Sequence, residues 1–152
     1  MASWHEIETE APELARLVRS RIEQHTVALL ATLRRDGAPR ISGIETTFGD
    51  GELWLGMMPD SLKAKDLLRD PRFALHGATI DKDVAEPDVK LAGRAVEVEG
   101  PAKEKFAEAA PPGPFHLFKL DITEMSSLAP VVDHLELNIW REGRGVQMVE
   151  RK

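Results

Sequence analysis

The 152-residue chain has no cysteine, which excludes a disulfide framework and any thiolate-bound metal, and fits a reducing compartment. Long apolar runs are also missing, since none approaches the roughly 18 residues that a membrane span needs. The first eleven residues, Met1 to Ala11, are acidic and lack the basic start and apolar stretch of a secretory signal. A soluble, cytoplasmic protein with no membrane partner is expected. Positive charge is in deficit too, with 20 Lys and Arg against 26 Asp and Glu and a net charge of −6. Non-specific nucleic-acid binding needs the opposite balance, because it depends on cationic groups that displace counterions. No nucleic-acid partner is expected, although a local basic patch for a small anion is compatible with this balance.

Common catalytic signatures are equally sparse. His5, His25, His76, His116 and His134 show no HxxxH or HExxH spacing, so no metal is expected. Neither a GxSxG elbow nor a GxxxxGK[ST] phosphate loop occurs, which leaves nucleophilic hydrolysis and P-loop chemistry without support.

What remains is an ordinary globular composition, 42% hydrophobic and 30% charged, with 11 Gly and 10 Pro spread as punctuation. The length suits one domain over 1–152. Leu14, Leu17, Val18 and Ile22 recur at helical spacing behind Pro12, predicting an N-terminal helix over about 11–24. Thr26 to Leu33 reads as a buried strand, and Asp36-Gly37 supplies the positive φ of a tight hairpin. Pro39 to Phe48 returns, Gly49-Asp50-Gly51 turns, and Glu52 to Met58 follows, so three consecutive antiparallel strands are the simplest expectation.

Ser61 to Arg69 (SLKAKDLLR) reads as a helix with Ala64, Leu67 and Leu68 on one face, stopped by Asp70-Pro71. Strands follow at Arg72 to Ala78 and Val89 to Glu99. The apolar phase of the second of these changes near Gly93, which marks a bulge or barrel corner. A helical piece begins at Gly100-Pro101 and ends at the proline cluster 111–114. His116, Phe118, Leu120 and Ile122 then alternate, and a last hairpin pairs Leu135 to Trp140 with Gly145 to Val149. Six to eight short antiparallel strands with flanking helices describe a small, mainly β barrel.

The segment richest in chemistry is Met57-Met58-Pro59-Asp60-Ser61-Leu62-Lys63-Ala64-Lys65. It places a hydroxyl and two ammonium groups at the start of a helix, where free N–H groups and the helix dipole attract a phosphate. The plainer reading is that Asp60 or Ser61 caps the helix and the lysines are solvated. Trp140 is read either as a ring that stacks on a planar ligand or as a packed rim aromatic. His76 is read as a strand histidine satisfied by backbone, with proton donation near a ligand as the alternative.

The ordered run VALLATLRRDGAPRI, ETTFGDGELWLGM and SLKAKDLLRDPRFAL, followed by VKLAGRAVEVEG, resembles the pyridoxamine 5'-phosphate oxidase-like superfamily of flavin-binding split β-barrels. The likeness covers about Thr26 to Gly100 well and the last third loosely. It implies a homodimer that holds FMN between subunits and acts as a flavin-dependent oxidoreductase on a small organic substrate. The alternatives are a deazaflavin-dependent reductase using coenzyme F-420 and a non-catalytic flavin- or haem-binding dimer. By resemblance, Ser61 and Lys63 are phosphate contacts and Met57 and Met58 lie against the flavin. Lys65 joins them by charge and proximity, as does Trp140 if it stacks. Arg69 and Arg94 are further candidates for a long acidic tail.

No side chain is required as acid or base, because the cofactor would carry the hydride or electrons. The sequence departs from the vitamin-pathway oxidases at Leu62, where they have arginine, and at Ser42 and Thr47, where they have basic residues. Arg40 stands nearby on the same strand. Their arginine-rich C-terminal substrate signature is absent from LELNIWREGRGVQMVERK. An activity other than that of the vitamin-pathway enzyme is expected, with the pocket shaped by the loops Thr79 to Pro87 and Ala110 to Pro114.

Overall fold

The computed structural model describes residues 2–78 and 86–152. Among them it shows four helices and nine antiparallel strands, one more strand than the upper expectation. No helix among the described residues is long and apolar enough to cross a membrane.

Two helices open the chain. Helix α1 (Trp4–Glu10) is capped by Ser3, whose Oγ accepts from the Glu6 N–H, and it buries Trp4 and Ile7. Helix α2 (Pro12–Glu23) matches the expected helix over 11–24 and buries Leu14, Ala15, Val18 and Ile22. The chain then forms β1 (Val27–Leu33) and β2 (Pro39–Glu45), joined by a turn in which Gly37 takes φ +87° and Asp36 Oδ1 accepts from the Ala38 N–H. Alternation on β1 is clean: Ala28, Leu30 and Thr32 face the core, while Val27 and Leu29 face outward.

The expected three-stranded meander is corrected here. The long return strand breaks at Thr46 into β2 and β3 (Thr47–Gly49). Strand β2 pairs with β1, whereas β3 pairs with β4 (Glu52–Met57) at the opposite end of the sheet. Helix α3 (Leu62–Arg69) leads into β5 (Arg72–His76), which pairs with both β1 and β6 (Asp88–Glu97). Helix α4 (Pro101–Ala107) precedes the 16-residue β7 (His116–Val131), and β8 (His134–Arg141) and β9 (Gly145–Arg151) close the chain as a hairpin.

Strand order is β2-β1-β5-β6-β7-β4-β3, with β8 alongside the second half of β7 and β9 outside it. The two ends of this order, β2 and β3, are neighbours in the chain but form no ladder, so the barrel is split rather than closed.

Leu30, Leu53, Leu55, Leu75, Leu91 and Leu120 fill the interior, and α1 and α2 cover one mouth. Gly93 sits at a register shift as expected, but the phase change lies on the partner strand. Strand β6 keeps one parity through Val89, Leu91 and Ala95, whereas β7 switches from Leu120 and Ile122 to Met125 by inserting Thr123.

Candidate functional site

Strand β4 delivers the chain to a turn at 58–61 that opens α3. The Ser61 N–H donates to the Met58 carbonyl at 3.1 Å, and Ser61 Oγ accepts from the Ala64 N–H at 3.2 Å. Ser61 therefore acts as the N-cap. The Leu62 and Lys63 N–H groups, in the first turn, have no helical acceptor and remain free for an anion. Lys63 Nζ donates to the Gly43 carbonyl at 2.7 Å, which leans its ammonium against the free edge of β2. Lys65 is exposed on the same first turn.

The two methionines part company. Met57 is buried in the barrel, while Met58 is 78% exposed beside Leu62 at 57%. Trp140 has no exposed surface, and its Nε1–H donates to Glu10 Oε2 at 3.0 Å, so its indole belongs to the packing between β8 and α1. His76 Nδ1 lies 2.6 Å from the Gly77 carbonyl, matching the backbone-satisfied reading.

Arg40 faces α3, where its Nε donates to Asp66 Oδ2 at 2.7 Å. Thr32 Oγ1 donates to the same oxygen at 2.8 Å, and Arg69 donates to Oδ1 at 3.0 Å and to the Leu33 carbonyl at 2.7 Å. Burial pushes the Asp66 carboxyl up, but hydrogen bonds from Arg40, Thr32 and Arg69 outweigh it and hold the group below its ordinary value of 3.8. Arg40 and Arg69 thus serve the carboxylate at the middle and end of α3. Arg94 lies opposite Arg72, by Asp70 at the far end of the same helix, and does not join Ser61 and Lys63. The anticipated buried face of α3 is also revised: Asp66 is buried with Ala64 and Leu67, and Leu68 is 49% exposed.

His116, which the sequence reading left unassigned, borders the site. It pairs with Met57 across β7 and β4, and its Nε2 lies 3.3 Å from the Pro59 carbonyl, with Nδ1 3.4 Å from Glu97 Oε1. The loop 110–114 ends beside it, where Phe115 meets Phe106. Of the other anticipated pocket loop, residues 79–85 lie outside the described residues.

Next to the edge that Lys63 touches, the sheet presents an apolar outer face. Leu29 stands opposite Gly43 on one side and His76 on the other, with Val27, Ala31, Ile41 and Ala74 around it. Ile41 is 72% exposed. A single subunit in water gains nothing from such a face, and a covered one is the usual explanation.

The donors fit a phosphate monoester: two backbone N–H groups, the Ser61 hydroxyl, the remaining protons of Lys63 and the Lys65 ammonium surround the start of α3. No curated protein matches the chain. Among solved structures, PhzG from Burkholderia lata 383, in complex with tetrahydrophenazine-1-carboxylic acid, has a TM-score of 0.71 at 16% identity, over 97% of this chain and 92% of that one. A haem-binding protein from Mycobacterium smegmatis has a TM-score of 0.59 at 15% identity, over 99% and 88%. HutZ, the haem storage protein from Vibrio cholerae, has a TM-score of 0.54 at 17% identity, over 74% and 89%. These likenesses concern the fold. The pyridoxamine 5'-phosphate oxidase family model matches residues 14–129, from the second helix to the end of the long seventh strand, and the chain belongs to that family.

Proposed function

We propose that the protein is a cytoplasmic homodimer that holds a flavin-type cofactor, FMN in first place, and works as an oxidoreductase on a small organic substrate. The observation that carries this reading is the juxtaposition of two features. An anion-ready helix start, Ser61 to Lys65, is tied through Lys63 to the rim of an apolar sheet face. Ser61, Lys63 and Lys65 would hold the cofactor phosphate, and exposed Met58 would lie against its apolar body. Bound there, the flavin supplies hydride or electron transfer. The protein's part is to bind the phosphate, to shield the ring with the outer face of a second copy, and to position the substrate. Coenzyme F-420 is the alternative, since its deazaflavin also carries a phosphate-bearing tail.

Lys63→Ala and Ser61→Ala should each weaken FMN binding by about 1–3 kcal/mol in a fluorescence titration, because each removes a contact to a charged group. Ser61→Ala should in addition lose about 1 kcal/mol of stability with its cap. Leu29→Glu places a charge at the centre of the outer face and should convert the dimer to monomers in sedimentation experiments; an unchanged dimer would place the subunit contact elsewhere.

A second reading is a non-catalytic flavin- or haem-binding dimer. It is favoured by Arg40, the second-strand cation nearest the site, whose Nε is committed to Asp66, and two structural neighbours are described as haem proteins. Reduction of the bound cofactor followed by reoxidation with organic acceptors separates the two: turnover supports the enzyme, and a cofactor that no acceptor reoxidises supports the binding protein.

A further inference from the structure

We propose that a cavity at the α1–α2 elbow binds a small organic cation, an ammonium or amidinium group carrying an apolar body. The cavity has a volume of about 450 Å³ and lies between that elbow and strands β7 to β9. Its polar groups are Glu10, Glu13, Ser127 and Asn138, and Leu17 and Val146 form apolar wall. No Lys or Arg is among the described residues that line it, so the field inside is negative.

Acidic residues at the start of a helix are ordinary, because they complement the helix dipole, and Glu13 alone would mean little. The floor of the cavity is what requires an occupant. Ser127 is 3% exposed, yet its hydroxyl has no hydrogen-bond partner among the described residues. Asn138, directly opposite it across β7 and β8, has an unpartnered carboxamide in the same sense. Buried hydroxyls are normally paired, so a hydroxyl and an amide both left free at the bottom of one cavity point to a hydrogen-bonding ligand. Glu10 is already oriented by the Trp140 indole through Oε2, which leaves Oε1 for the ligand. A cationic head thus meets two carboxylates and two neutral acceptors, while its body lies against Leu17 and Val146.

This site is separate from the anion site in sign and in place. Ser127 and Asn138 point to the opposite side of the sheet from their neighbours Ser126 and Ile139, which lie on the outer face, so dimerisation across that face leaves the cavity open.

The test is an NMR titration of the full-length protein with benzylammonium, benzoate and benzyl alcohol, which share a body and differ in charge. Benzylammonium should shift the Trp140 indole N–H and the Ser127 and Asn138 amides, and benzoate should leave them still. Glu13→Gln should weaken binding about tenfold by removing one charged acceptor. Ser127→Ala should weaken it while leaving the thermal midpoint unchanged, because the hydroxyl has no internal partner to lose. Equal binding of benzoate, no response to benzylammonium, indifference to Glu13→Gln, or a clear loss of stability in Ser127→Ala would each overturn the proposal.

Discussion

Gly93→Ala is expected to destabilise the fold by about 4 kcal/mol, a large effect for the addition of one methyl group. A Cβ at this position would stand 2.0 Å from the Asp121 carbonyl oxygen and 2.9 Å from the Ile122 Cα. Both are backbone atoms of β7, so no rotamer change relieves the overlap. Gly93 lies where β6 and β7 shift register by one residue, and β7 carries three neighbours along its length: β6, β4 and β8. Pushing β7 away would therefore disturb the ladder that joins both halves of the sheet. Urea unfolding monitored by circular dichroism checks the prediction, and a midpoint within experimental error of wild type would show that the bulge accepts a side chain.

Asp66→Ala should cost about 3–5 kcal/mol, because it strands the groups that a buried carboxylate collects. Asp66 and Thr32 are both almost fully buried, and Arg40 enters the same space. Without the carboxylate, Arg40 and Thr32 lose their shared acceptor and α3 loses its bond to β1 and β2. Asp66→Asn keeps the shape and removes the charge, and its deficit carries a pH signature. A carboxyl held below 3.8 in the folded chain stabilises it fully above that value and loses this contribution as the pH falls through the lower, folded value. The stability gap between wild type and Asp66→Asn should be constant near neutrality and narrow below about pH 4. A gap that persists unchanged at pH 2 would mean that the charge of Asp66 contributes nothing.

The features legible in the sequence were those specified by neighbours in the chain. Asp36-Gly37 makes its turn with local atoms, Pro12 and the Leu14 to Ile22 spacing place α2, and Ser61 caps α3 through its own third-next N–H. Helix α1 was legible too, in Ser3 and Glu6 set before Ile7, but that stretch was read only for its charge.

Features set by remote partners were not legible. Nothing in GIETTFGD says that Thr46 divides two edges of one sheet, because both halves are β-branched or aromatic and only pairing with β1 or β4 separates them. The Gly93 bulge was located, but its extra residue belongs to β7, thirty positions away.

The candidate site divides the same way. Its helix start was readable from Ser61, Lys63 and Lys65, whereas the role of Arg40 depended on Asp66 and Thr32, which no spacing connects. Trp140 shows the limit for aromatics, since an indole bound to Glu10 across 130 positions reads in sequence like any strand tryptophan. His116 reaches the site only because β7 runs beside β4, and its alternation with Phe118 and Leu120 gave no sign of that.

The most direct test of the central claim is a titration of cofactor-free wild-type protein and Lys63→Ala with FMN, measured side by side by fluorescence. The account predicts that the wild type binds and that the variant binds more weakly by about 1–3 kcal/mol. Equal affinity in the two proteins, or no binding by the wild type, would contradict the assignment of the α3 start as the phosphate site of a flavin.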